Sequence, residues 1–154
     1  MKPNLGRKSK LNLCDNLDYR LVHIVCVVAQ RNDCPCDFGV FETKRTIETQ
    51  KQYLKRGTTT TMNSNHIPNK LGIVNAVDIV PYVDGEYQWD LKYLKPLISI
   101  FESVANELYP KEIKFGKDFK VYKNIKQKDG TVKKELVPFE DYPHIEIQKE
   151  YQII

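Results

Sequence analysis

The run Asn75-Ala-Val-Asp-Ile-Val80 constrains this chain more than any other segment. Its β-branched residues read as a buried strand closed by Pro81, yet Asp78 stands in the middle of it. A carboxylate taken out of water without a partner is too costly for a small domain to keep. The fold must therefore put a sheet around this strand and a cation or hydrogen-bond donor beside Asp78.

Helices to cover such a sheet are legible on both sides of it. Leu17, Leu21, Ile24, Val25 and Val28 fall on one face of a helix, with Asp15 or Asn16 as its cap and His23 inside it as a half-buried helix residue. A second helix follows Arg45-Thr46 through Ile47, Gln50, Tyr53 and Leu54, with Thr46 as cap and Gly57 as terminator. The polar stretch from Thr58 to Asn65 then reads as a loop. Trp89-Asp90 introduces the cleanest apolar stripe in the chain, Leu94 to Leu108, which Pro110 stops.

Short strands are expected at Asp37 to Glu42, Ile113 to Phe115 and His144 to Ile147. Asp129-Gly130 predicts a two-residue hairpin turn between arms at Val121 to Lys126 and Thr131 to Val137. With hairpin-type connections gathered at the end, the order of elements predicts an α+β fold. Its small, mainly antiparallel sheet has helices packed on it, and doubly wound topology is disfavoured.

A length of 154 residues fits one domain, read as residues 1–154 with a core from about 17 to 147 and no second domain. Lys and Arg number 24 against 20 Asp and Glu, so the net charge is +4, a mild bias toward anionic partners. The apolar run from Leu21 to Ala29 is too short to span a bilayer, which takes about 20 residues, so stable membrane insertion is not expected. Met1 to Leu13 is basic without an apolar segment, so no secretory signal is readable and synthesis in the cytoplasm is expected. Cys14, Cys26, Cys34 and Cys36 show neither paired metal spacing nor an export context, and read as buried or loop thiols. Eight lysines crowd the segment from Lys114 to Lys134, where they form either a solvated ribbon or a binding surface. Aromatic neighbours Phe115, Phe119 and Tyr122 could stack bases, but no single-strand binding motif accompanies them, so nucleic acid is not the expected partner.

The chemistry concentrates around two of three histidines: Ser64-Asn-His66 ahead of the Asp78 strand, and Asp141-Tyr-Pro-His144-Ile-Glu146 near the end. Two imidazoles and a carboxylate are a usual set for catalytic zinc, which keeps a fourth position for water. His66, Asp78 and His144 fit that set, and Asp141 is the nearest base in sequence. The residues alone leave open the alternative of surface histidines and a satisfied buried aspartate.

The ordered motifs resemble the peptidoglycan metallopeptidases of the D-alanyl-D-alanine carboxypeptidase and L-alanyl-D-glutamate endopeptidase group, especially small phage endolysins. The marks run from about Leu17 to Ile147. Asp37-Phe-Gly-Val-Phe-Glu-Thr-Lys-Arg45-Thr46 with Gln50 and Leu54 to Gly57 is similar to the family's strand, arginine and helix. Ser64-Asn-His66 and Ala76-Val-Asp78-Ile-Val-Pro81 are similar to the two halves of its first zinc motif. Phe115-Gly116-Lys-Asp118-Phe119 resembles its Gly-x-Asp-Trp segment with phenylalanine for tryptophan, and Asp141 to Glu146 closes the pattern.

The resemblance implies that His66, Asp78 and His144 bind Zn2+ and that Asp141 is the general base. It further implies that Arg45 stabilises the oxyanion or holds a substrate carboxylate. Ser64 is a candidate substrate contact, and Glu146, on the same side of its strand as His144, a candidate support for that ligand. One departure stands out: eleven residues separate His66 from Asp78 where the family has about six, and Val74 replaces a glycine. An added loop at Pro68 to Gly72 accounts for the difference at little entropic cost.

The expected function is that of a monomeric, zinc-dependent peptidoglycan peptidase, an endolysin cutting the stem peptide at the L-alanyl-D-glutamate bond by attack of zinc-bound water. It would reach the wall after the membrane is permeabilised. The alternatives are a D-alanyl-D-alanine carboxypeptidase or dipeptidase, and a zinc-binding wall-recognition domain without catalysis.

Overall fold

Strand β2 (Ala76–Val83) is the strand on which the others pair, in a computed structural model that describes residues 1–154. It lies between β1 (Asp37–Glu42) and β7 (His144–Ile147), with β4 (Ile113–Phe115) beyond β7 and the short β3 (Glu86–Tyr87) beside the far end of β2. All of these pairings are antiparallel. A second sheet consists of β5 (Lys120–Lys126) and β6 (Val132–Pro138) alone. The α+β reading with a small antiparallel sheet therefore holds.

One face of the larger sheet is apolar because β-strands alternate. Val77, Ile79, Ile145 and Ile147 join the core cluster with α2 (Tyr19–Gln30) and α4 (Leu91–Leu108), and Phe38 meets Phe101 edge-on at 5.1 Å between ring centroids. Each such buried side chain contributes roughly 1.5–3 kcal/mol relative to exposure. That packing leaves the opposite face of the same strands free to carry Asp78, His144 and Glu146.

Caps and turns follow the sequence closely, with instructive exceptions. Thr46 accepts from the Thr49 N–H at the start of α3 (Ile47–Lys55), Gly57 sits at φ 75° beyond its end, and Asp90 caps α4. The cap of α2 is Asp18 instead of Asp15 or Asn16: its carboxylate accepts from the Arg20 N–H, while Asn16 takes a left-handed conformation before it. His23 is exposed, its Nδ1 2.8 Å from the Tyr109 hydroxyl. β2 continues past Pro81 to Val83. Ile79 donates to Pro143 and Pro81 accepts from Gln88, both away from β1, so the N–H that Pro81 lacks is not one the β1 ladder uses.

The basic N-terminal segment holds a helix that sequence periodicity did not signal, α1 (Arg7–Leu13). Ser9 Oγ accepts from the Val40 N–H at 3.0 Å and Asn12 Nδ2 donates to the Val40 carbonyl at 2.8 Å, so α1 covers the outer edge of β1. The hairpin loop between β5 and β6 has three residues, Lys128-Asp129-Gly130, instead of two. Gly130, at φ 85°, donates to Gln127, and Gln127 pairs with Thr131, so the glycine serves as the left-handed third residue of the loop.

Candidate metal centre and cleft

A single rung across three strands builds the site. Asp78 lies opposite His144 on β7 and opposite Glu42 on β1, and directly opposed residues share a face. A bulge between Val40 and Glu42 is what brings Glu42 there; an unbroken register would place Phe41 opposite Asp78. The third ligand candidate comes from a loop. Arg45 donates its N–H to the His66 carbonyl at 2.8 Å, and Asn75 to the Asn65 carbonyl at 3.0 Å, which pins the loop over the sheet.

Each imidazole has one nitrogen occupied and one turned inward. His66 Nδ1 is 2.7 Å from the Thr43 carbonyl oxygen, which can only accept, so that nitrogen carries the proton and Nε2 is left as a donor atom. His144 Nε2 is held at 2.7 Å by Glu146, leaving Nδ1 inward. His66 Nε2, His144 Nδ1 and Asp78 Oδ1 form a triangle with sides of 3.2, 3.2 and 3.3 Å. Metal–ligand bonds of about 2.0–2.1 Å in a tetrahedron set neighbouring donors about 3.3–3.4 Å apart. The triangle therefore matches one face of a tetrahedral site, with the donor types zinc takes.

The electrostatics of the cluster point the same way. Burial alone would raise the Asp78 pKa, but the two imidazoles outweigh it and hold the carboxylate far below its ordinary range. Burial alone would lower His144, but Asp78 and Glu146 carry it up to about 10. Glu146 is lowered because His144 and Asn65 together outweigh its burial. Asp141 is raised, first by burial and then by the Asp78 charge. A metal ion entering the triangle would displace a proton from His144 Nδ1, the nitrogen that faces Asp78, and leave the bond from Nε2 to Glu146 in place.

An open cleft of about 930 Å³ rises from this floor. Arg45 stands in its wall, ion-paired through Nε to Glu42, donating Nη1 to Gln50 Oε1 at 2.8 Å and stacked 4.6 Å from the Tyr53 ring centre. Gln50, fully buried, donates in turn to the Thr61 carbonyl at 2.7 Å and ties the arginine to the loop above. Asp141 lines another wall. Its N–H donates to the Gly116 carbonyl at 2.9 Å, and a Cβ at position 116 would overlap the Asp141 carbonyl oxygen and come within 2.9 Å of His144 Cβ. Only glycine allows that approach. The Phe119 ring lies 5.3 Å from the His144 ring, and Ser64 Oγ accepts from the His66 N–H at 3.3 Å.

All seven residues singled out from the sequence, His66, Asp78, His144, Asp141, Arg45, Ser64 and Glu146, line this one cleft. Four supports escaped sequence reasoning. Asn65 Nδ2 donates to Glu146 at 2.9 Å, Thr43 offers only its backbone, Glu42 depends on the bulge, and Gly116 depends on a contact with residue 141. The available signals were Asn65, beside His66, and Gly116, the glycine of the segment that resembles Gly-x-Asp-Trp. The added loop folds on itself: Asn69 Oδ1 accepts from Leu71 and Ile73 at 2.9 and 3.0 Å, and Gly72 takes φ 78°. All four cysteines are free thiols.

A one-sided antiparallel sheet with a metal-capable donor triangle, flanked by a carboxylate and a guanidinium in an open polar cleft, is an arrangement suited to hydrolysis. The model of the phage L-alanyl-D-glutamate peptidase family matches residues 1–148, and the chain belongs to that family. It is thus a peptidase that acts on peptidoglycan. The fold is similar to that of an L-Ala D-Glu endopeptidase, ChiX, from Serratia marcescens. The TM-score is 0.70 at 18% identity, over 97% of this chain and 93% of that one. Comparison with curated protein sequences finds no match.

Proposed function

We propose that this chain is a zinc-dependent endolysin that hydrolyses the L-alanyl-D-glutamate bond of the peptidoglycan stem, with His66, Asp78 and His144 as ligands. The observation that carries the reading is the donor triangle, whose sides of 3.2, 3.2 and 3.3 Å suit a tetrahedral ion. When bound, zinc supplies Lewis acidity and lowers the pKa of water to about 7.

The remaining work falls to side chains. Asp141 accepts a proton from the attacking water and returns it to the departing amine of the D-glutamate residue; its burial suits a base that must both take and release. Arg45, held from two sides by Glu42 and Gln50, presents a fixed positive charge to the scissile carbonyl oxygen or to a substrate carboxylate. Thr43 and Glu146 orient the two imidazoles. Ser64 turns the loop carrying His66 and offers its hydroxyl to the substrate backbone.

The test compares metal-replete, chelated and zinc-restored protein with Asp141→Ala on isolated sacculi, with bound metal measured in each. Clearing is expected only with zinc. It should fall about 10²- to 10⁴-fold in Asp141→Ala while the ion stays bound. The products should carry new N-termini on D-glutamate; free D-alanine would instead make the enzyme a carboxypeptidase, and zinc bound without any amine released would make it a recognition domain.

A further inference from the structure

The β5–β6 hairpin stands apart from the rest of the molecule in three ways. It pairs only with itself, whereas an isolated two-stranded sheet is marginal in water. It also carries the molecule's net charge. Between residues 120 and 138 six lysines face Asp129 and Glu135, which leaves the hairpin at +4, the value for the whole chain. The residues outside it sum to zero.

The third way is an exposed apolar face. Tyr122 pairs with Leu136 and Lys126 with Val132, so these four side chains share one side of the ribbon. Tyr122, Val132 and Leu136 are 64%, 63% and 51% exposed. Lys134, from the same side, sits 5.4 Å from the centre of the Tyr122 ring. Apolar groups left open among lysines suit a ligand that offers both anionic groups and apolar faces.

The hairpin also begins inside the cleft. Lys120 and Val121 line it, Phe119 packs against His144, and the Phe139 N–H closes the base of the ribbon on the Phe119 carbonyl at 2.7 Å. A polymer whose one repeat fills the cleft would therefore run onto the hairpin with the next.

We infer that the β5–β6 hairpin is a docking arm for peptidoglycan beyond the repeat being cut. Its lysines bind free carboxylates of neighbouring stem peptides, and Tyr122 and Leu136 lie against the sugar rings. The inference rests on the peptidase reading for its substrate, but binding can be measured without catalysis. Continuity with the cleft favours this occupant over a lipid surface, which would need no connection to the active site.

Co-sedimentation with purified sacculi, native or with carboxylates amidated by carbodiimide, tests it across a salt series. Wild type and Lys126→Arg/Lys134→Arg should bind native sacculi alike, weakening as salt rises, while Lys126→Glu/Lys134→Glu binds about tenfold less. Amidated sacculi should lose wild-type binding to the same degree. Cleavage of a soluble muropeptide, which occupies the cleft alone, should stay within about twofold in the glutamate variant, showing that the fold and the site are intact. Equal binding of the glutamate variant, or undiminished binding to amidated sacculi, overturns the inference. So does wild-type binding to phosphatidylglycerol vesicles but not to sacculi. If wild type leaves the muropeptide uncut, the peptidase reading fails, and co-sedimentation still decides the docking.

Discussion

Two clusters of charge are buried in this protein, and they are built to opposite ends. On the helical side, Arg20 makes a two-point pair with Asp18 at 2.9 Å on each nitrogen, a further pair with Glu112, and a bond to the Tyr151 carbonyl at 2.9 Å. The Arg20 and Asp18 side chains are only 5% and 0% exposed, yet their donors and acceptors are met within the protein. Across the sheet, His66, His144 and Asp78 turn three donor atoms toward one another, with a single carboxylate oxygen facing both imidazoles. Saturation makes the first cluster a fastener between α2, β4's approach and the C-terminal segment. Convergence of lone pairs makes the second a cluster that could hold a cation, with the surrounding bonds spent on orientation.

The largest effect that should separate the two is in activity. Asp78→Asn is expected to lose bound metal and to lower peptidase activity by at least about 10³-fold, whereas metal content and turnover per folded molecule stay near wild type in Arg20→Ala. Metal analysis beside sacculus clearing checks both, and an Arg20→Ala protein that folds but binds no metal would erase the distinction.

Stability should divide them the other way. Arg20→Ala strands Asp18 and Glu112 without their cation and should cost about 3–5 kcal/mol by denaturant titration. A milder change tests whether orientation has value of its own: Glu146→Gln keeps a hydrogen-bond acceptor on His144 but removes the charge, and metal affinity should weaken about 10- to 100-fold by competition with a chelating dye. An unchanged affinity would reduce Glu146 to a bystander.

The smallest effect comes from a third kind of burial, that of neutral thiols. The Cys34 thiol is pushed up to about 11, by burial first and by neighbouring Cys36 next, against the weaker pull of the N-terminal ammonium, and Cys36 is raised chiefly by burial. The folded state therefore prefers the neutral thiol, while the unfolded chain ionises from about pH 8.5 upward. Stability should hold below that point and fall as pH climbs toward 11, less so in Cys34→Ala. Thiol reagents at pH 8 should label Cys14 and Cys26 in the folded protein and reach Cys34 and Cys36 only after denaturation.

Much of this site was legible because its chemistry is rare in the chain. With three histidines and one carboxylate inside an apolar strand, few candidate ligand sets were available, and the one that the ordered motifs singled out is brought together by the fold. Helices α3 and α4 were readable through their caps and apolar spacing, since capping is a local bond. Helix α1 was not, because a polar helix of seven residues has too little apolar pattern to announce itself and forms where it covers the edge of β1.

The sequence by itself determined the donor types, the alternation that puts Asp78 opposite the core, and the turn residues. Only the tertiary structure decided that Glu42 faces Arg45, that Thr43's carbonyl sets the tautomer of His66, that Asn65 steadies Glu146, and that Gly116 must lack a side chain. The physical reason is range. Periodicity and capping act within a few residues and leave a trace in composition, whereas a bulge register, a backbone acceptor and a steric approach between positions 116 and 141 exist only after distant segments have packed.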